Sequence, residues 1–363
     1  MSKLFEPFMI NKLEIKNRFV RSATVDNLGK DKMVSEAQLA FYREMVRGEV
    51  GLIISSGMFP SMDGWTAPGQ LGIHHDDMIP SLKKLAGNVH KYGGKVAAQL
   101  MHAGWFGNPR TCGLQPVGPS AMVNPTNKLE CRELSSDEVY EHVDDFVQAG
   151  RRAFEAGFDA VQIHGAHGWL VSSFLSPVTN HRQDEWGGSP EKRANFVVRI
   201  IEGIRKLTGP EYPIMIKLGL KDYHPRGKTV AEGIASVKLF IKAGLDAVEV
   251  SEGVEEEAFH HIRKDAVNPY YLEECRQAKR ALDIPVILVG GMRQLAEIRE
   301  VVDGGIADAV SMCRPIIMDQ HIVRKFHRGE ATESKCTSCN GCIAEMQKQN
   351  LHCIFNKKLI ENE

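Results

Sequence analysis

The chain has 363 residues with 45 basic and 46 acidic side chains, a net charge of −1, and 43% of its residues are hydrophobic. That length exceeds one small sandwich and suits a single large α/β barrel with an appendage. The charge balance argues against nucleic acid or an anionic membrane as partner. No apolar run approaches the roughly 20 residues that a membrane span requires, and residues 1–12 lack the pattern of a secretory signal, so a soluble cytoplasmic protein is expected.

Eight short apolar runs alternate with amphipathic stretches: Arg18–Ala23, Gly51–Ser56, Lys95–Leu100, Ala160–His164, Ile214–Gly219, Ala247–Ser251, Pro285–Val289 and Ala307–Met312. They are apolar almost throughout, as strands buried on both faces should be. Ser136–Ala156 and Pro190–Leu207 read as helices, opened by Ser-Asp and by an early Pro, and closed by Gly157 and Gly209. Eight β–α alternations predict an α/β fold, a (β/α)8 TIM barrel over residues 1–325, with the first 17 residues capping its bottom. An open doubly wound sheet is the alternative, but no glycine-rich loop follows the first run. The Pro/Gly/Asn-rich stretch Gly104–Asn127 is a long βα excursion, which on a barrel lies at the face where sites are built. Residues 326–363 form a Cys-rich tail.

The densest chemical signal runs from Phe158 to Arg193. His164 and His167 leave the fourth strand three residues apart, followed by Gly168 and Trp169. Neutral imidazoles there can donate N–H bonds to a carbonyl oxygen and polarise it. A satisfied structural pair is the bland alternative. A metal pair is another, though no acidic third ligand stands at helical spacing.

The segment HGAHGWLVSSFLSPVTNHRQDEWGGSPEKR, His164–Arg193, resembles the signature of the Old Yellow Enzyme-like flavoproteins, the FMN-dependent NADH:flavin oxidoreductases and ene-reductases. NRFVRSAT from Asn17, GLIISSG from Gly51, QLMHAG from Gln99, VGGM from Val289 and SMCRP from Ser311 are similar to its other blocks, in the same order. The resemblance covers residues 3 to 330. It implies FMN held by Ser22, Ala23 and Thr24 along the flavin edge, Gly57 beside the ring, Gln99 on its pyrimidine side and Lys217 at N1–O2, where a cation stabilises the reduced form. Gly290, Gly291, Met292, Cys313 and Arg314 would hold the phosphate, and NAD(P)H would serve as a reductant bound over the flavin. It further implies hydride transfer to a C=C bond conjugated to a carbonyl anchored by His164 and His167. Two positions depart from the family. Trp169 replaces the usual tyrosine proton donor, and an indole N–H cannot release a proton near neutral pH; water, Tyr223 or His102 are the alternative sources. Trp105 replaces an Arg, and the two tryptophans suggest a flat ligand stacked at the mouth.

The tail carries Cys336, Cys339, Cys342 and Cys353 with spacing Cys-x2-Cys-x2-Cys-x10-Cys. Four clustered thiolates suit a 4Fe–4S cluster or structural zinc. The block resembles the cluster segment of family members similar to 2,4-dienoyl-CoA reductase and 2-enoate reductase, where it relays electrons from a second flavin domain. The sequence ends ten residues after Cys353, so an external donor such as a ferredoxin, flavodoxin or flavoprotein is expected, and a homo-oligomer is an open expectation. Two further readings stay open: an amine-type dehydrogenase or demethylase exporting electrons through the tail, and a redox carrier without organic substrate.

Overall fold

Eight parallel strands close on themselves in the computed structural model, which describes residues 2–255, 269–348 and 351–356. Among the described residues the barrel strands are Phe19–Arg21, Leu52–Ile54, Val96–Leu100, Ala160–Gly165, Ile214–Gly219, Ala247–Ser251, Val286–Val289 and Ala309–Met312, each hydrogen-bonded to the next, with the eighth closing onto the first. Each lies within a run expected from sequence, apart from Gly165 at the end of the fourth. The (β/α)8 barrel is thereby borne out.

The two expected helices run over Ser136–Glu155 and Pro190–Thr208. The first is opened by a capping box in which the Ser135 hydroxyl and the Glu138 carboxylate satisfy each other's backbone N–H groups. The second has Pro190 in its first turn and Gly209, at φ +83°, beyond its last. Helix stripes and the outer faces of the strands bury one large layer around the barrel.

The barrel interior is sealed at its lower end. The hairpin Phe8–Ile10/Leu13–Ile15 packs Phe8, Ile10, Leu13 and Ile15 against Val20, Leu52, Ile54, Ala97, Ala160, Met215, Ala247, Ile287 and Ala309. The N-terminal segment therefore plugs the bottom, as expected. The long excursion forms the short helix Pro109–Cys112 and a small sheet of Val117–Gly118, Glu130–Glu133 and Met122–Val123. Helix Ile322–His327 spans the expected 325/326 boundary and buries Phe326 in the core. The tail lies along the barrel rim: Leu351 N–H donates to Asp26 O at 3.0 Å, and Asn27 Nδ2 donates to Met346 O at 3.2 Å. Tail residues 349–350 and 357–363 lie outside the described residues. No helix of the described residues is long and apolar enough to cross a membrane.

Candidate active site

Side chains alternate along a strand, so each barrel strand repeats its inward position every second residue. Two residues above the apolar layer of Ala97, Ala160, Met215 and Ala247 come Gln99, Gln162, Lys217 and Glu249, and above Val20 comes Ser22. The interior changes from apolar to polar within one repeat. Glu249 is 0% exposed and Lys217 3%. Lys217 is in register with Glu249 on one neighbouring strand and His164 on the other.

The polar layer is a connected belt. Lys217 Nζ lies 3.1 Å from Glu249 Oε1 and donates to Ser22 Oγ at 2.9 Å; that hydroxyl donates to Glu249 Oε1 at 2.8 Å. Gln162 Nε2 donates to Glu249 Oε2 at 2.9 Å, and Gln99 Nε2 to Gln162 Oε1 at 2.8 Å. Burial alone would raise the Glu249 carboxyl, but the Lys217 ammonium and these donors outweigh it and hold the group below the usual carboxylate range. The cation expected at Lys217 is thus half of a buried ion pair rather than an isolated charge.

His164 and His167 stand edge to face with ring centroids 5.1 Å apart. Burial pushes both pKa values down, His164 well below the ordinary value and His167 to about 3; the His167 ring and Lys217 add to the effect on His164, and Lys217 to that on His167. Both are neutral imidazoles at physiological pH. His164 Nδ1 accepts the Ala166 N–H at 3.3 Å, which leaves its proton on Nε2 as a donor. His167 Nε2 pairs with Ser251 Oγ at 2.8 Å. His167 is held at φ +61°, an unusual backbone for a side-chain-bearing residue, and the next carbonyl, Gly168 O, accepts the Trp105 indole N–H at 2.6 Å. Trp105 is 4% exposed. Its polar end serves to brace the histidine turn.

Above the belt opens a cavity of about 220 Å3. Ser22, Ala23, Thr24, Lys217, Gly290, Gly291, Met292, Cys313, Arg314 and His167 line it, so strand ends far apart in sequence meet here. Gly290 has φ +107°, and a Cβ there would strike the Tyr270 ring at 2.7 Å. Among the described residues, Gly57, Gln99, His164 and Trp169 do not line this cavity. Gly57 was expected to leave room for a ring; a Cβ there would instead meet Met101 at 2.9 Å, so the chain's own packing demands the glycine. Trp169 packs edge-on against Phe106 at 5.2 Å. A smaller cavity beside it is lined by Trp105, Phe106, His167, Glu252 and Glu255 among others.

Two expected proton sources lie elsewhere. Tyr223 OH donates to Glu274 Oε1 at 3.0 Å and lines neither cavity. His102 is buried with Nε2 3.0 Å from Asp63 Oδ1, and Asp63 Oδ2 is 3.0 Å from His142 Nε2. His102 Nδ1 accepts the Gly104 N–H, so Nε2 carries the proton and this trio is a hydrogen-bonded bridge rather than a ligand set. Sequence reading missed Glu249, Gln162, Ser251, Glu252, Tyr270 and Tyr271. Of these, Ser251, Glu252, Tyr270 and Tyr271 line the large cavity, and Tyr271 donates to Glu252 Oε2 at 2.8 Å.

The tail forms one wall of the large cavity through Cys342, Ile343, Met346 and Leu351. Behind that wall, Cys336, Cys339, Cys342 and Cys353 together line a separate cavity with Arg314, Ile317 and Phe355. Arg314 and Cys342 border both.

The sequence profile of the NADH:flavin oxidoreductase / NADH oxidase family matches residues 3–333. The chain belongs to that family. The match covers the whole barrel, and the resemblance to Old Yellow Enzyme-like flavoproteins is borne out. An NADH oxidase of Thermoanaerobacter brockii is 36% identical over 365 residues, 97% of this chain and 56% of the relative. An NADPH dehydrogenase of Bacillus subtilis strain 168 is 32% identical over 335 residues, 91% of this chain and 96% of the relative. A solved complex of 2-naphthoyl-CoA reductase with 2-naphthoyl-CoA superposes with a TM-score of 0.94 at 30% identity, covering 98% of this chain and 57% of that one. The chain spans about half the length of the NADH oxidase and of the naphthoyl-CoA reductase.

The residues of the large cavity fit the family's cofactor. Lys217, Arg293 and Arg314 supply cations for an anionic nucleotide, and Met292, Met312, Ile317 and Ile343 supply apolar surface for a flat ring.

Proposed function

We propose that the chain binds FMN in the large cavity and reduces a C=C bond conjugated to a carbonyl. The observation that carries this reading is the neutral imidazole of His167 in the wall of the cavity that Lys217 also lines, with His164 packed edge to face beside it. Ser22, Ala23, Thr24, Lys217, Gly290, Gly291, Met292, Cys313 and Arg314 would hold FMN, with Gln99 acting through Gln162 and Gly57 through packing. Bound FMN would supply hydride from its N5 position, having received hydride from NAD(P)H or, from a protein donor, two single electrons together with a solvent proton.

What the chain contributes is orientation and polarisation. His164 donates from Nε2. With Ser251 donating to His167 Nε2, the His167 proton would reside on Nδ1, available to a carbonyl oxygen in the cavity that His167 lines. Because both rings stay neutral, they withdraw electron density without giving up a proton. The indole of Trp169 cannot protonate the neighbouring carbon either. Tyr271 is the candidate donor: burial and the Glu252 carboxylate push its pKa well above the ordinary value, so its O–H stays protonated until a stronger base forms beside it.

Residues 326–363 are assigned a 4Fe–4S cluster held by Cys336, Cys339, Cys342 and Cys353. The four thiols line one cavity, a ligand set that suits this cluster and also structural zinc. Such a cluster behind the cavity wall would pass electrons between FMN and an external protein.

One observation favours a second reading. The smaller cavity sets the Trp105 and Phe106 rings beside Glu252 and Glu255, surroundings that suit a cationic amine. Anaerobic turnover of a panel of enones, enoates and amines with FMN-loaded protein separates the two. Reoxidation of reduced protein by enones or enoates is expected. Turnover of amines alone would transfer the assignment to amine dehydrogenation, and no organic turnover in either direction would leave a redox carrier.

A further inference from the structure

Glu249 is a fully buried carboxylate to which the reading above gives no task. It interrupts the strand AVEVS, apolar up to that point, and an apolar side chain would seal the layer without stripping water from a charge. Its partners all stand on other barrel strands or their ends: Lys217 Nζ at 3.1 Å, Ser22 Oγ at 2.8 Å and Gln162 Nε2 at 2.9 Å. Ser22 and Lys217 line the large cavity; among the described residues Glu249 does not. It reaches that cavity through them, and its charge also acts on His167 in the same wall.

An ammonium has three donors. Ser22 Oγ and Glu249 Oε1 take two, which leaves one for whatever fills the cavity that Lys217 lines. The two contacts also fix where the ammonium sits, because Glu249 is in register with Lys217 on the adjacent strand. Electrically, a cation beside its counter-ion projects a weaker field than a cation alone. His167 is sensitive to both members of the pair, Lys217 lowering and Glu249 raising its proton affinity, with Glu255 also raising it.

We infer that Glu249 is a positioning residue that pins the Lys217 ammonium at the cavity wall and offsets its charge, so that reduced FMN, anionic at N1–O2, is stabilised less than an isolated lysine would allow. This rests on FMN occupying the large cavity.

The test is an anaerobic potentiometric titration of FMN-loaded protein at pH 7, with the affinity for oxidised FMN measured by fluorescence quenching for every variant. Glu249→Gln should raise the midpoint potential by about 30 mV or more, equivalent to about tenfold tighter relative binding of the reduced form. Glu249→Asp, which keeps the charge, should stay near wild type. In a Lys217→Met background the further change Glu249→Gln should move nothing, because a buried carboxyl without its cation takes up a proton. An unchanged or lowered potential in Glu249→Gln, or an equal shift in the Lys217→Met background, would overturn the inference. Should Glu249→Gln fail to fold, the double variant carries no charge to strand and decides the matter: its potential should equal that of Lys217→Met, and a difference overturns the inference. Wild-type protein that does not bind FMN would remove the cavity assignment itself, whereas tight FMN with an unmoved potential would remove only the role of Glu249.

Discussion

Arg314 Nη1 donates to Asn340 Oδ1 at 2.8 Å, tying the end of the eighth barrel strand to the Cys-rich tail. The same guanidinium reaches Ser338 O at 3.4 Å and donates from Nη2 to Tyr270 OH at 2.6 Å. One side chain therefore joins the expected phosphate site, Tyr270 and the tail. Arg314→Ala should weaken FMN binding at least tenfold and make the tail more susceptible to limited proteolysis. Arg314→Lys should recover part of the affinity but not the protection, because an ammonium lacks the fork that serves several acceptors. FMN titration and a protease time course check both.

His164→Ala and His167→Ala should abolish binding of phenol-type ligands while FMN stays bound, as followed by the ligand-induced change in the flavin spectrum.

The same histidines give acid sensitivity a sign. Their folded pKa values lie below that of a free imidazole, about 6.5, so on acidification the unfolded chain takes up protons first. Their contribution to stability is complete above about pH 6.5 and is lost as pH falls toward the folded value, about 3 for His167. Each contributes a slope of about 1.4 kcal/mol per pH unit within that window. Chemical denaturation of His167→Gln between pH 6.5 and 5 should show stability falling less steeply than wild type by about that slope.

Trp169→Tyr should raise turnover of simple enones if protonation limits the rate, and Tyr271→Phe should lower it by 10²-fold or more, the usual worth of a positioned general acid. Stopped-flow reoxidation of reduced protein by an enone reads both. A Tyr271→Phe variant with wild-type rates would leave water as the proton source.

Trp105→Phe removes the indole N–H that holds Gly168 O and should destabilise the protein by about 1 kcal/mol. Its larger effect should be on the ligand affinity of the adjacent His167 rather than on FMN affinity.

The barrel was legible because strands buried on both faces are apolar runs, and Ile214–Gly219 and Ala247–Ser251 agree to the residue with those runs. The cavity lining was legible where motif blocks end strands, at Ser22–Thr24, Gly290–Met292 and Cys313–Arg314. Glu249 was not, because no motif block carries it, although like Lys217 it is a charge within an apolar strand, AVEVS. Its meaning appears only when register sets it opposite Lys217. Tyr271 follows the sixth strand by twenty residues, stands just before helix Leu272–Ala281 and lines the cavity, which no periodicity reports. His102, Asp63 and His142 come from three separate segments, so their mutual bonding, which withdraws His102 from the chemistry, is invisible in one dimension.

FMN above the Lys217–Glu249 pair, beside a four-thiol cluster site, would show in an anaerobic ultraviolet–visible spectrum of the purified protein with FMN, iron, sulfide and zinc determined on the same sample. FMN near one per chain, released on denaturation, is expected, with iron and acid-labile sulfide at cluster stoichiometry. A colourless protein that takes up no FMN on reconstitution would contradict it, and zinc without sulfide would contradict the cluster assignment.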